Sequence, residues 1–160
     1  MSKKNYDNLY NQLALPFLGS REELLKEIFE TLELRYGLEK QSKQQFIDLG
    51  SGDGRVVIYA ALNHGIRSIG VEINDNLVQE ARENVRSLKR GVKGVKRNLR
   101  NIKIFKGDLF QQNLEKFDYV YIFSLPTIHQ YLKHIFLTMN NNSILISHKY
   151  PLTQERKYFY

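Results

Sequence analysis

Cysteine and tryptophan are absent from this 160-residue chain, and proline occurs only three times. Without cysteine there is no disulfide framework and no thiolate metal centre. The four histidines, His64, His129, His134 and His148, form no helical i, i+4 pair, so no histidine metal site is expected either. No apolar run approaches the roughly 20 residues that span a bilayer. Tyr119–Phe123, bounded by Asp118 and Ser124, instead suits a buried strand. The opening Met1-Ser2-Lys3-Lys4-Asn5 leads into no apolar segment, so a secretory signal is not expected. The first 20 residues hold no arginine, unlike a typical mitochondrial presequence. The expected compartment is the cytoplasm, with the mitochondrion as the alternative. What remains is 42% hydrophobic and 26% charged, ordinary usage for one folded domain.

Lysine and arginine number 24 against 17 acids, a formal net charge of +7. The excess is local. No acid occurs from Asn84 to Gly107, while Arg86, Lys89, Arg90, Lys93, Lys96, Arg97, Arg100, Lys103 and Lys106 all fall there. A basic stripe on an otherwise slightly acidic chain suits contact with an anionic partner, or else a solvated connection. No aromatic residue is interleaved before Phe105, which favours the connection.

Residues 1–19 read as an N-terminal arm, closed by the Pro16 and Gly19 breakers, and residues 20–160 as one domain. Ser20 followed by Glu23 predicts a capping box. Leu24, Leu25, Ile28, Phe29, Leu32 and Tyr36 then recur at helical spacing up to Gly37. Beyond it, apolar strands alternate with helices. Strands are predicted at Phe46–Leu49, Ser68–Glu72, Ile102–Phe105, Tyr119–Phe123 and Ser143–Ser147, and helices at Gly54–Asn63, Asp75–Leu88 and Thr127–Met139. Such alternation forces parallel pairing through right-handed crossovers. The predicted class is therefore α/β, a Rossmann-like, mostly parallel sheet with helices on both faces. Ligands of such sheets bind outside the carboxyl ends of the strands. Little chain follows the fifth strand; Arg156–Tyr160 has the pattern of one more edge strand.

The sharpest motif is Asp48-Leu49-Gly50-Ser51-Gly52-Asp53-Gly54-Arg55, where the first strand turns into a helix. Its glycines permit a tight turn and close approach of backbone to ligand. Asp48 and Asp53 would repel the pyrophosphate of a dinucleotide, and no phosphate-binding G-x-x-x-x-G-K-[ST] is present. The ligand should offer donors or positive charge. Glu72 ends the second strand, where a carboxylate accepts ribose hydroxyls. Asp108 ends the third, in reach of an exocyclic amine. Each acid alone could be a helix cap; three at adjacent strand ends beside this loop point to a nucleoside-bearing cation. Arg55 is placed to pair with an acid.

These residues resemble the cofactor site of class I S-adenosylmethionine-dependent methyltransferases. More narrowly, Leu15-Pro16-Phe17-Leu18, Asp48 to Ile58, Gly70-Val71-Glu72-Ile73-Asn74, Phe123-Ser124-Leu125-Pro126 and Ser147-His148-Lys149-Tyr150-Pro151 are similar to the archaeal-type protein-lysine methyltransferases. The eukaryotic relatives of that family modify lysines in mitochondrial inner-membrane proteins. The resemblance implies S-adenosyl-L-methionine as cofactor, held by Phe17, Asp48, Gly50, Ser51, Gly52, Asp53, Gly54, Glu72, Ile73, Asp108, Leu109 and Ser124. It implies a protein substrate presenting a lysine. Such enzymes usually continue past strand five into an antiparallel strand pair, here expected to be shortened or missing.

A lysine amine must shed its proton before it attacks, given a reference pKa of about 10.4. A desolvated aromatic mouth would assist. Phe17, Tyr121, Phe123 and Tyr150 are the wall candidates, Tyr121 being more readily a core residue. No catalytic base is assigned; His148, ending strand five, stands at the acceptor channel or serves structure. The alternatives are an RNA or DNA methyltransferase, favoured by the basic stripe, and an inactive methyltransferase-like assembly subunit. Ser124-Leu125-Pro126-Thr127 lacks the second proline and the aromatic of adenine-amine methylating enzymes, which counts against a base as substrate.

Overall fold

Leu25, Phe29 and Leu32 are buried along one stripe of the first helix, α1 (Glu22–Arg35). The structure, a computed structural model, describes residues 20–91, 96–150 and 158–159. Phe17, the rest of the expected N-terminal arm and Pro151 lie outside the described residues. Glu22 and Glu23 in the first turn and Arg35 in the last complement the helix dipole. The expected capping box is not formed. The N-cap is Arg21, without a side-chain cap, because Ser20 turns its hydroxyl away toward Tyr121 and His148.

The strands are β1 (Gln45–Leu49), β2 (Arg67–Glu72), β3 (Ile102–Lys106), β4 (Tyr119–Ile122), β5 (Ile144–Ser147) and β6 (Tyr158–Phe159). They form one sheet in the order β3-β2-β1-β4-β5-β6. Every pairing among the described residues is parallel. The chain order reverses between β1 and β4, so a crevice opens there at the carboxyl edge. The expected last edge strand is the two-residue β6, registered on Leu145 and Ile146.

The connections are α2 (Arg55–Tyr59), which continues as a π turn over Ala60–His64, then α3 (Asp75–Gly91), α4 (Lys96–Leu99) and α5 (Pro126–Phe136). Sequence spacing predicts a plain helix where the π turn lies. Leu62 lies in the last turn, where carbonyls have no intrahelical partner, and its carbonyl accepts from the Asn98 amide at 3.1 Å. This tie fastens the basic connection, whose short helix α4 the charge run conceals, with Leu99 fully buried as its anchor. Pro126 opens α5, where a missing N–H costs nothing.

Two cores flank the sheet. Phe46, Tyr119, Tyr121 and Ile104 pack beneath α1, α2 and α3. Ile47, Leu49, Val71, Val120 and Ile122 pack beneath α5 with Leu114 and Phe117. The pleat alternates along β1, so Phe46 and Asp48 share one face while Ile47 and Leu49 take the other. Asp48 is thereby carried into the crowded three-helix side.

Gly70 makes the loop after β1 possible. A Cβ there would stand 2.6 Å from Ser51 Oγ and 2.8 Å from Ser51 Cβ. Gly70→Ala should therefore destabilise by about 1–3 kcal/mol, the cost of overpacking a well-filled site, read as a lower denaturant midpoint. Ser51→Gly in the same chain should restore part of the loss. A neutral Gly70→Ala would show that the loop does not sit against β2 as described.

Candidate functional site

The turn after β1 is built from left-handed backbone. Gly50, Gly52 and Gly54 have φ of +83°, +52° and +81°. A side chain at any of them would be strained, and at Gly54 a Cβ would also meet Ala81 Cβ at 3.0 Å. The turn's own amides are largely consumed. Gly50 and Ser51 N–H both donate to the Val71 carbonyl at 2.9 and 3.0 Å, and Gly54 N–H donates to the Ser51 carbonyl at 2.9 Å. Gly52 N–H donates to Glu72 Oε2 at 2.9 Å. A phosphate cradle needs free N–H groups; this loop has spent four of its own on folding.

Glu72 does more than end β2. Besides Gly52, its carboxylate accepts from Ile73 N–H and Asn74 N–H, both at 2.9 Å on Oε1. Asp53 is neutralised locally. Arg55 Nε lies 3.0 Å from both its carboxylate oxygens and Nη2 reaches Oδ2 at 2.5 Å. Arg55 thus pairs with an acid of the loop. Asp108 N-caps the short turn Leu109–Gln111, accepting from Phe110 N–H at 2.8 Å and Gln111 Nε2 at 3.0 Å.

Asp48 differs from the other acids. It is 3% exposed, and among the described residues no donor lies within hydrogen-bonding distance of its carboxyl. Burial pushes that carboxyl well above the usual carboxylate range, and the charges of Glu72 and Asp53 push it further. A buried acid with no donor is costly unless protonated or paired.

The other expected residues are gathered at the same edge. Ile73 is 36% exposed beside the loop. Leu109 follows Asp108, its Cδ2 3.8 Å from where a Cβ on Gly50 would stand. Ser124 follows β4 and is buried, its hydroxyl without a partner among the described residues, as is that of Ser51. Among the wall candidates, Tyr121 is a core residue with 1% exposure, although its hydroxyl reaches the site's margin. Phe123 is half-buried and stacked on the His148 ring at 4.3 Å. The Tyr150 carbonyl accepts from Ser147 Oγ at 2.6 Å. His64 is a core residue bonded to Glu33 at 2.7 Å, and His134 bonds the Phe110 carbonyl at 2.7 Å. No cluster of three or more metal-ligating side chains occurs among the described residues.

Sequence reasoning missed one constellation. Ser20 Oγ lies 2.9 Å from Tyr121 Oη and 3.3 Å from His148 Nδ1, and Tyr121 Oη lies 2.5 Å from His148 Nδ1. Tyr121 is the cross-strand neighbour of Asp48. The alternation of β4 could have placed Tyr121 on one face; only the β1–β4 register puts it beside Asp48.

Glu72→Ala removes the acceptor of three backbone N–H groups. The unfolding free energy should fall by about 1–3 kcal/mol, as when buried donors lose a charged partner. Amide exchange at Gly52, Ile73 and Asn74 should speed up together. Unchanged exchange at Gly52 would separate Glu72 from the loop.

Known proteins resemble this chain in sequence and in fold. A sequence model of the ANTKMT methyltransferase domain matches residues 48–157, more than half of the chain. The lysine N-methyltransferase of the ATP synthase C-subunit from Caenorhabditis elegans is 29% identical over 143 residues, 89% of this chain and 70% of that protein. A protein-lysine N-methyltransferase of Saccharolobus islandicus is 31% identical over 121 residues, 74% of this chain and 66% of that protein. The human counterpart of the Caenorhabditis elegans enzyme, named for the same ATP synthase target, is 30% identical over 115 residues, which cover 72% of this chain but 42% of the relative. Among solved structures, an RNA methyltransferase from Salinibacter ruber in complex with S-adenosyl-L-homocysteine superposes with a TM-score of 0.66 at 28% identity, over 84% of this chain and 83% of that one. With the match beginning at Asp48 itself and running through the glycine loop, Glu72 and Asp108, the chain belongs to the ANTKMT methyltransferase domain family.

Proposed function

We propose that this chain is an S-adenosylmethionine-dependent methyltransferase that modifies a lysine side chain of a protein. The observation that carries the reading is Asp48, a buried carboxyl without a donor at the mouth of a glycine turn whose amides are already spent. That arrangement rejects phosphate and accepts a cationic amine. The family match and the lysine methyltransferase names of its relatives supply the reaction class. Residues 20–160 are taken as the catalytic domain and residues 1–19 as an arm. The cytoplasm is the proposed compartment and the mitochondrion the alternative; no described helix is long and apolar enough to cross a membrane.

When bound, the cofactor supplies an activated methyl group on a sulfonium centre. Asp48 would hold its amine, and the left-handed turn Gly50–Gly54 would let backbone lie against it. Glu72 would meet the ribose through Oε2, which accepts one loop amide and retains capacity, whereas Oε1 already accepts two. Asp108 would meet the adenine amine, with Ile73 and Leu109 as apolar flanks and Ser124 at the acceptor side. Phe123 and Tyr150 would wall the mouth where an incoming lysine loses its solvent. The protein's contribution is mainly positioning for in-line displacement.

Incubation with methyl-labelled cofactor and separate protein and RNA pools tests the reading. Label should enter protein lysines; label in RNA alone overturns it. Asp48 must be ionised to pair with an ammonium, and its carboxyl is held well above the usual range. Cofactor affinity should therefore be strongest above that raised pKa and fall as pH drops through it. By calorimetry, Asp48→Asn should weaken binding by about 1–3 kcal/mol and remove the pH dependence. An Asn variant that binds with the parent's affinity and pH profile would take Asp48 out of the amine socket.

A second reading, an RNA substrate, is favoured by the Salinibacter ruber neighbour and by the basic stripe. Arg86, Lys89, Arg90, Arg97, Arg100, Lys103 and Lys106 are exposed; Lys93 and the Lys96 side chain are outside the described residues. Some of this charge is answered internally. Arg86 and Arg90 both reach Glu83 at 3.5 Å, and Lys106 reaches Asp75 at 2.6 Å. Lys106 also pairs in register with Glu72, so the stripe runs up to the site's edge. Replacing Lys93, Lys96, Arg97 and Arg100 by Ser should abolish any salt-sensitive binding to RNA or anionic liposomes and leave cofactor affinity intact. If the parent binds neither, the stripe is a solvated connection.

A further inference from the structure

We propose that His148 is the catalytic base of this site, its Nε2 taking the proton from the incoming lysine ammonium. The inference rests on the lysine reading above and supplies the group that reading lacks.

The ring is placed by four contacts. His148 follows β5 directly, and its backbone N–H donates to the Ile122 carbonyl at 2.9 Å, so it stands beside the end of β4. The imidazole lies on Phe123, with centroids 4.3 Å apart and planes 23° apart. Nδ1 faces Tyr121 Oη at 2.5 Å and Ser20 Oγ at 3.3 Å. Tyr121 is registered against Asp48, the residue that opens the glycine motif. The imidazole therefore stands at the carboxyl edge where the sheet order reverses, with Phe123 as a wall. Nε2 makes no hydrogen bond to any described residue, yet it is not sealed in as Nε2 of His64 and of His129 are. One nitrogen is anchored and the other is presented.

Burial first, and a neighbouring charge after it, favour the neutral ring. Burial and then Lys149 hold His148 below its ordinary value. Tyr121 stays a phenol, pushed up by burial and by Asp48 behind it. Arg55 donates to the Ser20 carbonyl at 3.4 Å but is paired with Asp53. In the tautomer the proposal requires, His148 Nδ1–H donates to Tyr121 Oη, Tyr121 O–H donates to Ser20 Oγ, and Nε2 keeps its lone pair. One N–H bond of the ammonium breaks as the Nε2–H bond forms. The positive charge moves to the imidazolium, whose Nδ1–H remains on the Tyr121 oxygen. The amine is left neutral, with its lone pair free, and the imidazolium returns its proton to solvent through Nε2. A desolvated lysine beside a cationic cofactor has a depressed pKa, which brings this transfer within reach of an imidazole.

The test uses the full chain, ¹⁵N-histidine labelling and methyl transfer to protein lysines across pH. His148→Asn is the key variant, because its short amide can still bond Tyr121 or Ser20 but cannot accept a proton at the Nε2 position. The expected result is a fall in kcat of about 10²-fold or more, with retained near-ultraviolet circular dichroism and unchanged S-adenosylhomocysteine affinity. With cofactor held saturating at every pH, so that Asp48 does not contribute, the low-pH limb of kcat/KM that follows the imidazole should be seen in the parent and lost in the variant. The ¹⁵N spectrum, assigned by difference, should show the Nδ1–H tautomer. A parent that transfers no methyl group to protein sinks the lysine reading and this proposal with it. An active parent whose Asn variant keeps its rate and limb, or whose spectrum shows the Nε2–H tautomer, overturns the base alone.

Discussion

The carboxylate of Glu72 carries three backbone amides, and the site's geometry depends on it. Two of those amides continue the chain out of β2, and the third belongs to Gly52 in the turn after β1. One side chain thus ties the ends of two neighbouring strands together at the edge where ligand is expected. Three glycines in left-handed conformations leave the turn little intrinsic preference for this shape. The shape is imposed by the Val71 carbonyl, the Glu72 carboxylate and the absence of a side chain at Gly70. An acid that reads as a ligand-binding residue is therefore also a structural one.

The same edge concentrates negative charge and then disposes of it unequally. Asp53 has Arg55, Asp108 caps a turn, and Glu72 has its amides. Among the described residues Asp48 alone is buried beside Tyr121 with no donor, and it takes the repulsion of Glu72 and Asp53. That unequal satisfaction of similar acids is what the proposed binding of a cationic amine at Asp48 rests on. The basic stripe lies on the outer strand β3 and the connection leading to it. It is joined to the rest through the Asn98 and Leu99 anchors and through the Lys106–Asp75 pair.

Much of this was legible in the order of the residues. Alternating apolar strands and amphipathic helices required a parallel sheet, since an antiparallel one does not need helical crossovers. Strand bounds followed from apolar runs to within a residue or two. Asp48, the glycines, Glu72 and Asp108 announced a carboxyl-edge site because their chemistry excludes phosphate and favours a nucleoside-bearing cation. Local signals failed where a distant partner outbid them. Ser20 has the spacing of a cap, yet Tyr121 and His148, more than a hundred residues away in the chain, take its hydroxyl. The π turn carries no local signal in the sequence, and Asn98, which meets the Leu62 carbonyl of its last turn, lies far along the chain.

The sequence by itself determined the fold class, the position of the loop and the sign of the charge its ligand should bear, because periodicity and residue chemistry are local properties. Only the tertiary structure decided which acid is left without a donor, that Lys106 stands against Glu72, and that Ser20, Tyr121 and His148 meet beside Asp48. Those are facts of strand register. A shift of one residue in the β1–β4 pairing would turn Tyr121 to the opposite face from Asp48, and no pattern within either strand specifies which residue faces which.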